Sequence, residues 1–288
     1  MTLAGSTIAF GLLTAVLFAA STLGGSRAVR HLPDTAVVGW ASLTGLVLLL
    51  PALLTSPLPS VITPEILIWW SAFGICNIAG LLVVYAAFRV GKVGLLAPIV
   101  ATEGSVAAII ATLTGESLPV IAGLALLVIV GGIVLTAMAR DPAPLPAERP
   151  LLSIVLAVIA TLIFGMNLYA SGKLSGQLPM SWYLAPPRLV GTLFLAIPLL
   201  IARRLPMRRA AIAPVLIIAV AEIVAFITYS MGAQQSIAIT AVLSSQFAPL
   251  TTIVAWLVYK ERLGRVQVIG IVTILIGVVA LTLATQSA

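Results

Sequence analysis

The sequence predicts an all-α integral membrane protein of ten transmembrane helices, arranged as two inverted five-helix repeats. Three observations carry that reading: the composition, the spacing of the apolar runs, and the uneven distribution of Lys and Arg between the loops. The chain has 288 residues, 61% of them hydrophobic and 8% charged, and its mean hydropathy is +1.22. A soluble domain carries about a quarter charged residues, so too little charge is present to cover a water-facing surface, and a bilayer removes the need for one. The formal net charge of +7 would point to nucleic acid in a soluble protein. Here the basic residues stand in short loops, so no nucleic-acid partner is expected and the lipid bilayer is.

A membrane helix needs about 20 mostly apolar residues, and cutting the chain at its charge, proline and glycine clusters yields ten such runs. The first, Leu3 to Leu23, precedes the first basic residue, Arg27. Without a basic leader in front of it, it is read as a retained span. The second runs from Thr35, after Pro33-Asp34, to Leu54, and the third from Ile66 to Phe88, ahead of Arg89 and Lys92. The fourth runs from Gly94 to Leu113 and stops at Gly115-Glu116; the fifth runs from Leu118 to Met138. Residues 140 to 150 form a linker whose prolines and charges forbid a continuing helix. The second set is Leu151 to Ala170, Met180 to Ile201, Ala210 to Met231, Ile237 to Val258 and Val266 to Ala284. The expected organisation is therefore repeat 1 over 1–139, a cytoplasmic linker over 140–150, and repeat 2 over 151–288.

Internal repetition is visible where the fourth and ninth spans end. Gly115-Glu116-Ser117-Leu118 and Lys260-Glu261-Arg262-Leu263 occupy matching places, and each is followed by a glycine pair, Gly123 with Gly131 and Gly270 with Gly277. Each pair falls on one helical face, where a missing side chain lets a neighbouring helix approach. Five spans per repeat is odd, so the second repeat must enter the membrane inverted. The charges agree: with the linker included, thirteen of the fifteen basic residues fall in loops on one side, Lys173 falls on the other, and Arg188 lies within a span. The basic side is read as cytoplasmic, with both termini external.

With these residues in view, the chain resembles the drug/metabolite transporter superfamily, particularly its ten-helix bacterial exporters, and is similar to YddG-type amino-acid exporters. The matching residues are Pro249, Lys260-Glu261-Arg262-Leu263, Gly270 and Gly277-Val278, with Gly115-Glu116-Ser117-Leu118, Gly123 and Gly131-Gly132 in the first repeat. One departure is plain: Pro249 precedes Glu261 by about a dozen residues, but in the first repeat Pro98 lies farther from Glu116, and Glu103-Gly104 stand where Ala248-Pro249 stand in the second. The resemblance implies helices around a central substrate cavity, alternating access, a small-molecule substrate, and residence in a bacterial inner membrane.

An ionisable group near the bilayer centre is costly and so marks function by default. Counting about 1.5 Å per residue places Asn77, Glu103, Arg188 and Glu222 near mid-depth. Arg188 and Glu222 fall on consecutive antiparallel spans, both roughly 18 Å from the cytoplasmic edge, so they form either an inert ion pair or a site in which Arg188 offers its fork to a substrate carboxylate. Pro186-Pro187 should break or bend the seventh span, as an ordinary kink or as a broken helix whose N-terminus faces an anion. Glu103 lacks a cationic partner in sequence; it is expected to lie protonated or to face water and meet a substrate ammonium, in either state a candidate coupling site, or else to be a solvated residue at a helix bend. Aromatic and amide stripes on the third span (Trp70, Asn77, Tyr85, Phe88) and the eighth (Glu222, Phe226, Tyr229) are read as cavity lining or as packing. Asn167, Tyr169, Thr240, Ser244 and Gln246 complete the candidates, while Trp69, Trp182, Trp256 and Tyr259 fit interface anchors.

Other chemistries lack their residues. The one histidine, His31, lies in a loop, which removes Ser-His catalysis in the membrane. Asp34 and Asp141 are isolated, so no clustered carboxylates hold Mg²⁺, and Cys76 has no partner for a disulfide or a metal cluster. No Walker-type loop is present. The expectation is therefore a secondary transporter, not an enzyme, without metal or cofactor, that moves small metabolites. Amino acids with aromatic or neutral side chains suit one arginine and a nearby acid; hydrophobic cations, or a lipid-interacting scaffold role, are the alternatives.

Overall fold

The computed structural model describes residues 3–90, 96, 99–137, 149–247, 249–250 and 265–286. Every regular element among them is helical: α1 (Leu3–Ala28), α2 (Asp34–Thr55), α3 (Pro64–Val90), α4 (Glu103–Leu113), α5 (Val120–Ala137), α6 (Pro150–Leu174), α7 (Met180–Ile201), α8 (Arg209–Ala233), α9 (Ile237–Ser244) and α10 (Arg265–Gln286). Six of these, α1 to α3 and α6 to α8, contain runs long and apolar enough to cross a membrane, and shorter apolar helical stretches lie at Glu103–Leu113, Val120–Gly132 and Val268–Gly277. Their outward faces carry exposed Val47, Leu124, Phe194 and Leu275. In water such faces would drive aggregation; in hydrocarbon they meet their own kind. The chain is a multi-pass membrane protein.

The main helix pairs are α1 with α8, α3 with α6, α5 with α10, α4 with α9, and α2 with α7. Replacing each helix by the one five places along returns the same set, so the two repeats are exchanged by an approximate two-fold relation. The basic ends of α1 and α7 meet the starts of α2 and α8 in one cluster containing Ala28, Leu32, Val37, Ala196, Leu205 and Val215. That end is called the basic face below.

Two expected spans are interrupted. The fourth turns at residues 101–102 before α4 begins at Glu103, and the ninth turns at 245–246 after α9. The break in the fourth span is satisfied from neighbouring helices, the condition for irregular backbone inside a membrane. The Ile99 carbonyl accepts from the Thr102 amide at 3.1 Å and from the Thr161 hydroxyl of α6 at 2.9 Å. Across the crossing, the Gly104 amide donates to the Ser245 hydroxyl at 2.9 Å. A side chain at Gly104 would collide with the Ala241 carbonyl and that same hydroxyl. Gly104 and Pro249, aligned in the sequence, each stand just past an interruption.

The fourth span ends in a Schellman turn. Gly115 has φ +108°, its amide bonds the Thr112 carbonyl at 3.2 Å, and the Glu116 amide reaches back to Ala111 at 3.0 Å, a left-handed geometry that glycine adopts at little cost. Two glycine expectations need correction. An added Cβ at Gly123 or Gly131 meets nothing; the close approach of α5 to α10 is made at Gly132, against the Gly270 carbonyl, and at Gly277, against Ile129. A periodic pair puts glycines on one face without saying which face is the packed one. The second-repeat motif Lys260-Glu261-Arg262-Leu263, with Trp256, Tyr259 and residues 140–148 of the linker, lies outside the described residues.

Candidate functional site

Arg188 and Glu222 meet in the middle of the bundle. Nη2 of Arg188 lies 3.5 Å from Oε2 of Glu222, so the antiparallel placement read from sequence brings them together. The Arg188 side chain is 3% exposed and that of Glu222 15%. Ser21 of α1 donates to Glu222 Oε1 at 3.5 Å, the long end of any hydrogen bond. Neither terminal nitrogen of Arg188 has a hydrogen-bond acceptor. The pair is thus neutralised by proximity, while the planar donor fork of the guanidinium stays unused. Gly45 of α2 leaves room for its stem, since a Cβ there would press on Cγ and Nε at 3.2 and 3.3 Å, and the charge stands 5.9 Å from the Phe226 ring centroid, within cation–π range.

Of the two outcomes expected at Pro186-Pro187, an ordinary kink or a broken helix, the break does not occur. Helix continues through both prolines, and the irregular turn comes later, as a π-helical stretch at Thr192–Ala196. No helix N-terminus is therefore presented beside Arg188. Proline removes the amide that would bond the carbonyl four residues earlier. For Pro186 that carbonyl is Trp182, which accepts the Trp70 indole N–H of α3 at 3.0 Å instead. An outside donor thus satisfies a carbonyl that the proline leaves free, on the helix that carries Arg188.

A small cavity of about 10 Å³ adjoins the pair, lined by Val38, Ser42, Asn77, Leu81, Pro187, Arg188 and Glu222 among others, room for about one water. Oδ1 of Asn77, 5% exposed, also lacks a partner. Among the described residues the space beside the pair is this small, less than the central substrate cavity that the resemblance implies. On the side away from the basic face, Phe73 stacks on Tyr183 at 5.6 Å and meets Phe226 at 4.9 Å, and Phe226 meets Phe18 at 5.5 Å. On the basic side, a Cβ at Gly25 of α1 would lie 2.8 Å from the Tyr85 hydroxyl, and Trp40 bonds the Pro206 carbonyl at 2.9 Å.

Of the ten residues proposed from sequence, the structure brings Asn77, Arg188 and Glu222 to this cavity. Tyr229 sits beside it, its ring 6.5 Å from Phe226 and its hydroxyl donated to the Leu168 carbonyl at 2.9 Å, and Tyr85 lies on the basic side against α1. Glu103 and Gln246 lie at the two interruptions, and the Ser244 hydroxyl is spent on the Ala241 carbonyl at 2.8 Å. Asn167 is buried with Oδ1 unpartnered. Tyr169 belongs to the far end of α6, bonded to Thr114 at 2.9 Å and packed on Trp69 at 5.3 Å. Ser21 and Ser42 were not among the candidates, because a serine in an apolar span reads as a small packing residue. For Ser42 the available signal was its place near mid-depth on the second span; Ser21 stands two residues from the end of the first span as read from sequence and carried no such signal.

An all-helical bundle of apolar spans with a buried charge pair at its centre defines a class, the multi-pass integral membrane proteins. The EamA-like transporter family model matches twice, over residues 5–138 and 151–283, and the chain belongs to that family, within the drug/metabolite transporter superfamily. A solved structure described only as a crystal structure of a protein shares the fold at TM-score 0.79, with 16% identity and 98% of each chain covered. No curated protein sequence matches the chain.

Proposed function

We propose that this transporter is a secondary exporter of amino acids with aromatic or neutral side chains, the α-carboxylate held by Arg188 and the α-ammonium by Glu222. The observation that carries the reading is the Arg188 guanidinium, 3.5 Å from Glu222 with both terminal nitrogens lacking an acceptor. A buried donor fork without acceptors is costly, and a planar carboxylate matches it bidentately. The neighbouring carboxylate supplies the opposite charge for an ammonium, so a zwitterion replaces one ion pair by two. Phe226, Phe73 and Tyr183 pack beside the pair and offer an apolar surface to a substrate side chain once they part.

The arrangement is read as the occluded state of an alternating-access cycle, closed by the aromatic cluster on one side and by the cluster around Ala28 and Val215 on the other. The repeats are taken as inverted, with the basic face cytoplasmic, the termini external, and the protein in a bacterial inner membrane. The test is flux of labelled amino acids in proteoliposomes. Uptake in the native protein, lost in both Arg188→Ala and Glu222→Gln, supports the site. Uptake unchanged in both discards it, and transport of hydrophobic cations that survives Arg188→Ala selects the cation-exporter reading. A reporter fused after the last helix and found inside the cell overturns the orientation.

A further inference from the structure

We propose that Glu103 is a proton-binding site, separate from the Arg188–Glu222 pair, through which each transport cycle carries a proton. The inference rests on the transporter reading but not on the identity of the solute.

Glu103 opens α4 immediately after the interruption at residues 101–102 and is 6% exposed. Among the described residues it makes no hydrogen bond and meets no balancing cation. The described elements packed around it supply none. On α9, packed across it, Ile237–Ser244 contains no ionisable side chain. On α6 the ionisable groups are Tyr169 and Lys173; Gly165 marks the level of Glu103, since a Cβ there would touch the Glu103 carbonyl and Val106, and Lys173 lies two turns farther along, about 12 Å away. On α8, Tyr229 donates its hydroxyl to the Leu168 carbonyl, and Glu222 is engaged with Arg188. On α4 itself the next acid, Glu116, lies beyond the far end. The partial positive charge of the α4 N-terminus favours a carboxylate, yet it is small beside the cost of a bare charge in hydrocarbon. The group is therefore neutral, holding a proton, in this closed arrangement.

Its position makes that proton part of the cycle. The adjacent Gly104 is locked to Ser245 of the other repeat at 2.9 Å, and a Cβ at Gly104 would meet backbone of α9. Glu103 thus sits beside the contact between the two interrupted helices, where one repeat must move against the other for access to alternate. With the crossing closed, only the protonated form is tolerated; when it parts and water enters, the carboxylate is stable and the proton leaves. A ligand that favours one conformation is coupled to whatever else the conformations distinguish, here the solute.

The test has two arms on the full-length protein. Infrared difference spectra of the protein in lipid at neutral pH should show a protonated-carboxyl C=O band that disappears in Glu103→Gln; its absence in the native protein overturns the proposal whatever the solute. In proteoliposomes, a pH gradient should drive a labelled amino acid several-fold above equilibrium in the native protein, whereas Glu103→Gln, which mimics the protonated acid, should show exchange that varies neither with pH nor with the gradient. Gradient-driven accumulation persisting in Glu103→Gln, accumulation following a sodium gradient in place of a proton gradient, or loss of all exchange in Glu103→Gln overturns it. If the native protein moves no amino acid, the solute assignment fails, and the infrared arm still decides whether Glu103 holds a proton.

Discussion

The Glu116 carboxylate, swung outward by the Schellman turn at Gly115, accepts the hydroxyl hydrogen bond of Ser236 and so ties the end of one repeat to a helix of the other. It also accepts the amides of Ile237 and Ala238, each at 3.2 Å, which are among the otherwise unsatisfied donors at the start of α9. Ser236 meanwhile caps the same helix by accepting from Ile239 at 3.1 Å. A short motif that sequence comparison marks only as repeated is thus an inter-repeat cap, at the end of the bundle away from the basic face.

Glu116→Ala should lower stability by about 1–2 kcal/mol, the upper range for losing a helix cap, and Glu116→Gln by less, because an amide oxygen still accepts. Thermal unfolding in detergent checks the order. A cysteine at Ser236 should also become more reactive to a soluble thiol reagent in the alanine variant.

Arg188 and Glu222 should be strongly non-additive. Removing one partner leaves a bare buried charge and costs about 3–5 kcal/mol, whereas the double change Arg188→Met with Glu222→Gln should cost less than the sum of the two singles. A double-mutant cycle on unfolding midpoints reads this directly. Additive singles would show that the two groups do not feel each other.

Gly104→Ala should destabilise by about 1–3 kcal/mol, the range for overfilling a packed contact, because the new methyl meets α9 backbone. Gly131→Ala, on a face where a Cβ meets nothing, should be neutral or slightly stabilising, as expected for alanine in a helix. Comparing the two in one unfolding assay separates close packing from the mere frequency of glycine.

Trp70→Phe should cost about 1–3 kcal/mol by leaving the Trp182 carbonyl, already deprived of its helical donor by Pro186, without a partner. The same change should weaken substrate binding at Arg188, which stands on that proline-containing helix. A solute-binding isotherm and a melting curve measure the two effects.

The sequence by itself determined the solvent, the class and the repetition. An 8% charged chain cannot fold in water, apolar runs near bilayer length must be helical because lipid satisfies no backbone group, and mid-depth charges on antiparallel spans must find each other. Hence the meeting of Arg188 with Glu222 was legible in the sequence as one of two alternatives. Tertiary structure alone decided which glycine face is packed, that helix continues through the two prolines of the seventh span, that among the described residues the space beside Arg188 and Glu222 is small, and that Glu103 and Gln246 lie at interruptions instead of in the Arg188 cavity. Each of these depends on a donor or an atom supplied by a distant helix, such as Trp70 for Trp182 or Ser245 for Gly104. Periodicity along one helix specifies which residues share a face, but not what that face meets.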